Sequence, residues 1–116
     1  MHEEAIEKFN AAWRLVPDPK SDWEASTWIL AAIADSCFIL RKFYSAKQAL
    51  GYAMHCPDAI GNPFLHLRLG QTFFETGEPE ASADELMRAY MAAGADIFKN
   101  EDGKYLAFLK TKAIVE

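Results

Sequence analysis

An all-α fold is what this 116-residue sequence predicts, on three observations. Between its turns, Ala, Leu, Glu, Lys and aromatic residues recur at intervals of three and four, with no β-branched runs. That period gathers side chains on one face of a helix. The turns carry helix start and stop signals in a consistent order. Finally, a small–large–small set of residues returns thirty-six positions after it first occurs, as 46, 50 and 53 and then 82, 86 and 89.

The elements follow in chain order. The first segment, 2–17, opens with Glu3, Glu4 and Glu7, charges that suit a helix N-terminus, and closes at Pro17-Asp18-Pro19. Ser21 or Asp22 can cap the helix that enters Trp23, lending an oxygen to unpaired amide N–H groups. Arg41-Lys42-Phe43 is a weaker break, with neither Gly nor Pro. The stretch from Pro57 to Pro63 is the strongest loop. Within it, Asn62-Pro63 reads as an N-cap followed by proline at the first helical position, where its missing N–H costs nothing. Gly77-Glu78-Pro79-Glu80 turns the chain and starts another helix with proline and negative charge. Gly94 reads as a helix terminus and 100–103 as a further loop. Segment 101–113 reads as a capping helix with a polar outer face.

Length and composition narrow the setting. The chain has room for one domain, 1–116, and its 51% hydrophobic and 13% aromatic content suits a packed core without disulfides. Seventeen carboxylates against twelve Lys and Arg leave a net charge of -5, which disfavours nucleic acid as a partner. Cys37 and Cys56 are too few for a disulfide framework. The opening residues hold no basic stretch followed by an apolar one, and the longest apolar run, Trp28 to Ala34, is far below the roughly 20 residues of a membrane span. A soluble protein of a reducing cytoplasm is the expectation.

The recurring set has a physical meaning. Ala46, Leu50 and Ala53 become Ser82, Leu86 and Ala89, while Ile33-Ala34 with Cys37 becomes Leu69-Gly70 with Phe73. A small residue lets two helices approach, the large one fills the gap beside it, and the next small one admits a further helix. Ala5, Phe9 and Ala12, with Pro17 after them, repeat the second half of this unit. These residues resemble the tetratricopeptide repeat family, whose helix pair carries W-x2-L-G-x2-Y followed by A-x3-F and a terminal proline. Segment 63–96 matches at Leu69, Gly70, Phe73, Gly77, Leu86 and Ala89, and departs at His66, where an aromatic is expected, and at Ser82. Segment 27–60 matches at Ile33, Ala34, Ala46, Leu50 and Ala53, with Arg41 in place of the turn glycine. Segment 2–17 looks like a half repeat. The resemblance implies a right-handed stack of antiparallel helix pairs, about two and a half repeats plus the C-terminal capping helix.

In that family the first helices of successive pairs line a concave groove that receives a partner. The resemblance places Trp28, Ala31, Asp35, Phe38 and Ile39 there from one copy, and Phe64, Leu67, Gln71, Phe74 and Glu75 from the other. Trp28, Phe38, Phe64 and Phe74 would be interface anchors, with Asp35, Gln71 and Glu75 as polar company. The alternative is that a terminal helix folds back and buries them. Members that clamp peptide C-terminal carboxylates place Lys and Asn in the groove; Ala31, Asp35, Leu67 and Gln71 stand at those positions here and supply no cation. The groove therefore favours an apolar or basic partner.

Candidates for chemistry are sparse. His55-Cys56 and His66 lack a further ligand at metal spacing, Cys37 holds a packing position, and no phosphate loop or nucleophile motif is present. The acidic groups Glu3-Glu4-Glu7 and Glu78-Glu80-Asp84-Glu85 read as solvated helix starts. No catalytic residue, metal or cofactor is expected. The sequence predicts a non-enzymatic module that binds another protein, as monomer or homodimer. Its most specific form is an inhibitor or immunity protein of a basic toxin, since acidic free-standing helical-repeat proteins of bacteria resemble this chain. A cytosolic adaptor or secretion chaperone, and a self-assembling structural subunit, are the rival readings.

Overall fold

The computed structural model describes residues 2–112, and across them the apolar spacing resolves into six α-helices with no strand. These are α1 (His2–Leu15), α2 (Glu24–Ile39), α3 (Phe43–Ala53), α4 (Pro63–Glu75), α5 (Pro79–Ala93) and α6 (Gly103–Lys112). Single 3-10 turns occupy Lys20–Asp22 and Ala95–Phe98. The helices gather into two units, residues 2–60 and 61–112, divided in the loop that Pro57, Gly61 and Pro63 punctuate. Where the sequence length suggested one domain, each unit holds three helices. Residue 113, the last of the expected capping segment, lies outside the described residues.

In the first unit, α2 packs against both α1 and α3. Ala46, Leu50 and Ala53 of α3 are fully buried, with Ile33, Ala34 and Cys37 of α2 buried as well. The corresponding residues of α1 fare differently. Ala5, Phe9 and Ala12 are only half-buried, and no residue of α1 is fully enclosed. Its outer face carries Glu3, Glu4, Glu7, Lys8, Asn10 and Arg14, so the helix is a lid with one packed stripe. Trp13 fixes that lid by meeting the Tyr52 ring edge-on at 5.3 Å.

The start of α2 corrects one expectation. Ser21 and Asp22 lie inside the 3-10 turn, so neither immediately precedes the first helical N–H groups; Trp23 flanks the helix and gives no side-chain cap. Lys20 does the capping instead, for the preceding helix. Its ammonium donates at 2.9 Å to the Trp13 carbonyl, which also accepts the Val16 N–H, and at 2.6 Å to the Val16 carbonyl just past α1, and lies 5.2 Å over the Trp13 ring.

In the second unit, α4 packs on α5 and α5 on α6. Asn62 caps α4 as its sequence suggested: its Oδ1 accepts from the Phe64 and Leu65 N–H groups at 2.9 and 3.3 Å, with Pro63 at the first helical position. Pro79 likewise opens α5, and Gly94 ends it at φ 75°. Ser82, Leu86 and Ala89 are fully buried. α4 and α5 approach closely at Gly70. A Cβ there would stand 2.7 Å from Leu86 Cγ and 3.0 Å from its backbone nitrogen, so the position admits no side chain without movement of the facing helix. Ser82 Oγ donates to the Gly70 carbonyl at 2.7 Å across the same contact.

The two hairpins turn in the same way. In the first, Arg41 N–H donates to Phe38 O at 2.9 Å and Lys42 N–H to Cys37 O at 2.8 Å; in the second, Gly77 N–H donates to Phe74 O at 3.3 Å and Glu78 N–H to Phe73 O at 2.9 Å. Both are Schellman closures, which need a left-handed residue just past the helix. Gly77 supplies it at φ 77°, and Arg41 does so at φ 62°, where a side chain carries strain. Arg41 thus performs the glycine's role that its sequence position only suggested.

Candidate functional site

The residues assigned to a partner groove divide sharply by unit. In the second unit, Glu101 of the loop before α6 engages one of them and α6 itself engages two. Gln71 is fully buried: its amide donates to Glu101 Oε1 at 2.7 Å and its carbonyl oxygen accepts from Arg68 at 2.7 Å. Arg68 and Glu101 close that triangle at 3.2 Å. Phe74 lies edge-on to Tyr105 and Phe108, with centroids 5.4 and 5.2 Å away. Glu75 accepts from Lys104 Nζ at 3.0 Å and from the Tyr105 hydroxyl at 3.2 Å. Gln71 is thus enclosed within its own unit, while Phe74 and Glu75 are half-buried against α6. Burial, then the Glu75 charge, pushes the Tyr105 hydroxyl well above its ordinary value, which keeps it a donor. Leu67 is buried as well. Only Phe64 faces outward, 69% exposed in the first turn of α4.

In the first unit the assigned residues are more open. Trp28 is 49% exposed and its indole N–H points to Glu24 Oε1 at 3.4 Å. Asp35 and Ile39 are exposed, Ala31 is half-buried, and Phe38 is half-buried edge-on to Phe43 at 5.4 Å. The Arg41 guanidinium lies over the other partner in that contact, 5.2 Å from the Phe43 centroid.

Sequence reasoning missed an apolar pocket in this unit, about 300 Å³ in volume. Ala12, Leu15, Val16 and Pro17 line it from the end of α1, and Trp23, Ala25 and Ile29 from the start of α2. Leu15 is 83% exposed. It falls on the otherwise polar face of α1, and that misplaced leucine is the one signal in the sequence that could have found the pocket.

His66 is the other residue whose role emerges only in the structure. It is buried in α4, accepts the Gly61 N–H at Nε2 at 2.9 Å, and meets Glu85 of α5 through Nδ1 at 2.5 Å. The Gly61 donor requires a lone pair on Nε2, so the proton sits on Nδ1, facing the carboxylate. Both nitrogens are committed, and the pair fastens loop, α4 and α5 together. It resembles an acid–base dyad but offers no nitrogen to a substrate. Burial likewise raises the Cys37 and Cys56 thiols above their ordinary range, which disfavours the reactive thiolate. Among the described residues no group of three His, Cys, Asp or Glu is placed to hold a metal ion. Among them, too, no helix is long and apolar enough to cross a membrane. Comparison with protein-family models, with curated proteins and with solved structures gives no match for this chain.

Proposed function

We propose that this chain is a non-enzymatic protein-binding module of the tetratricopeptide-repeat type, which captures an apolar or basic protein surface. One observation carries the reading. Trp28 and Phe64 stand thirty-six positions apart, each near the start of the first helix of a hairpin, and both remain exposed while the triplets behind them are wholly buried. A rigid aromatic kept in water at the same register in two units is poor economy for folding but suits an interface, where it is desolvated at little entropic cost. The net charge of -5 favours a basic partner and speeds its approach. In its most specific form the partner is the basic catalytic domain of a toxin, blocked in the cytoplasm by this chain without any cofactor.

Affinity capture of the tagged chain from its own cells tests this. A stoichiometric basic protein should be retained, and Trp28→Asp or Phe64→Asp should each release it while the helical circular dichroism is unchanged. Both residues lie outside the buried set, so folding is not at stake. Retention by both variants would contradict the reading, and a captured secretion client without enzymatic activity would favour an escort over an inhibitor.

A further inference from the structure

The start of α4 is fastened by a side chain that can gain a charge. Asn62 flanks the helix: its Oδ1 accepts the Phe64 and Leu65 N–H groups, and its carbonyl accepts that of His66. The buried His66 ring reaches back over this turn, where Nε2 accepts the Gly61 N–H at 2.9 Å. On its other side Nδ1 donates to Glu85 Oε2 of α5 at 2.5 Å. Gly61 itself is exposed, so the bonded Nε2 lies directly under the surface.

A neutral imidazole has one donor and one acceptor, and both are used here; the imidazolium has two donors and no acceptor. A further proton therefore enters at Nε2, turns it from acceptor to donor, and sets its N–H against that of Gly61. The Nδ1 bond to Glu85 survives the change and becomes a bond between opposite charges. Glu85 is the charged group that meets the ring. The other ionisable groups of α4 and of the elements packed on it are placed elsewhere. Arg68 bonds Gln71 and Glu101, and Glu75 takes Lys104 of α6. On α5, Glu78 accepts from Thr76, Asp84 pairs with Arg88, and Glu80 is exposed. Asp96 of the 3-10 turn is exposed as well.

We infer that His66 is a pH-operated latch on the segment that joins the two units. Neutral, it fastens that segment at Gly61; protonated, it releases Gly61 and stays on Glu85. The far end of the segment is held separately, by the Thr27 hydroxyl donating to the Pro57 carbonyl at 2.7 Å, a pair with no titratable group. Acid thus frees the segment at its α4 end alone and leaves the buried triplet of α5 packed. The latch needs no partner protein.

NMR of the isotope-labelled whole chain, titrated from about pH 8 towards pH 5, tests this, since imidazoles change charge in that interval. The His66 Nε2 resonance should pass from an unprotonated to a protonated ring nitrogen. Over the same pH the Gly61 amide should lose about tenfold in exchange protection, measured against an unstructured peptide at equal pH, as befits one hydrogen bond. Protection at Leu86 and Ala89 should hold. Glu85→Gln keeps an acceptor for Nδ1 and removes the charge that steadies the imidazolium, so both changes should move together to lower pH by about one unit. His66→Gln keeps His2 and His55 and should abolish the pH response of Gly61; if it loses its helices, the Glu85→Gln displacement decides alone. Nε2 still unprotonated when the chain unfolds in acid, Nε2 protonated with Gly61 still protected, changes that separate in Glu85→Gln, or a response that survives His66→Gln would overturn the proposal.

Discussion

The two hairpins, α2–α3 and α4–α5, share a frame and differ in what fills it. In both, a three-residue turn with a left-handed residue separates the helices, and a buried small–large–small triplet packs the second helix. At equivalent positions, however, Leu30 and Ala49 of the first hairpin are replaced in the second by His66 and Glu85. The same shift carries Asp35 to Gln71 and Ile39 to Glu75. Every one of these polar residues in the second unit is consumed by the unit itself: His66 by Gly61 and Glu85, Gln71 by Glu101 and Arg68, Glu75 by Lys104 and Tyr105. The first unit keeps Asp35, Ile39 and Trp28 exposed. A packing frame fixes where helices lie; it leaves open whether the surfaces it creates are for the chain or for a partner. Here the second unit uses much of its α4 surface within itself while Phe64 stays exposed, and the first leaves Trp28, Asp35 and Ile39 exposed.

The largest effect should come from breaking the frame itself. Leu50→Ala and Leu86→Ala remove equivalent, fully buried side chains, and each should cost about 2–5 kcal/mol in chemical denaturation. Near-equal losses would support the shared frame, whereas a loss below about 1 kcal/mol at either site would show that the two hairpins are not packed alike.

Next is the polar exchange. His66→Leu should cost about 1–3 kcal/mol, because the Gly61 N–H and Glu85 lose their partner inside the unit. Adding Glu85→Ala, which restores the apolar pair of the first hairpin, should recover part of that loss. A double variant as damaged as the single one would mean that the histidine acts through its shape and not through its bonds.

A smaller effect separates the turns. Arg41→Gly should stabilise the chain by about 1 kcal/mol, since glycine pays no steric penalty at φ 62°, and Gly77→Ala should cost about the same. Thermal melts of the two variants would move in opposite directions.

The smallest effect is a loss of stability in alkali. Burial raises Tyr105, Cys37 and Cys56 above their ordinary values, so the unfolded chain releases these protons first. Above about pH 9 the unfolded state binds fewer protons than the folded one, and stability falls as pH rises. Denaturant midpoints at pH 8 and pH 10.5 should show the drop, and Tyr105→Phe should reduce it, placing that part of the effect in the second unit. A midpoint that rises over this range would contradict the assigned directions.

Much of the frame was legible in the sequence, because its signals are local. Asn62-Pro63, Glu78-Pro79 and Gly94 set helix ends within a few residues of themselves, and the triplets of α3 and α5 announce their spacing. The candidate site was less so. Gln71 is bonded to Glu101, thirty residues away, and Phe74 is half-buried against Phe108, pairings that no periodicity encodes. The α1–α2 pocket depends on the path of residues 16–23, where Lys20 turns back to cap α1 and Ser21 and Asp22 are drawn into a 3-10 turn. Leu15 alone stood out of pattern there, and a single exposed leucine is ordinary until a cavity is found beside it.

Amide hydrogen exchange of the whole chain, with and without its captured partner, tests most directly whether the first unit is turned toward that partner while the second is closed by its own tail. Slowed exchange should be gained across residues 12–29, with residues 71–75 and 103–112 unaltered. Protection gained at 71–75 and 103–112, with 12–29 unmoved, would contradict the account.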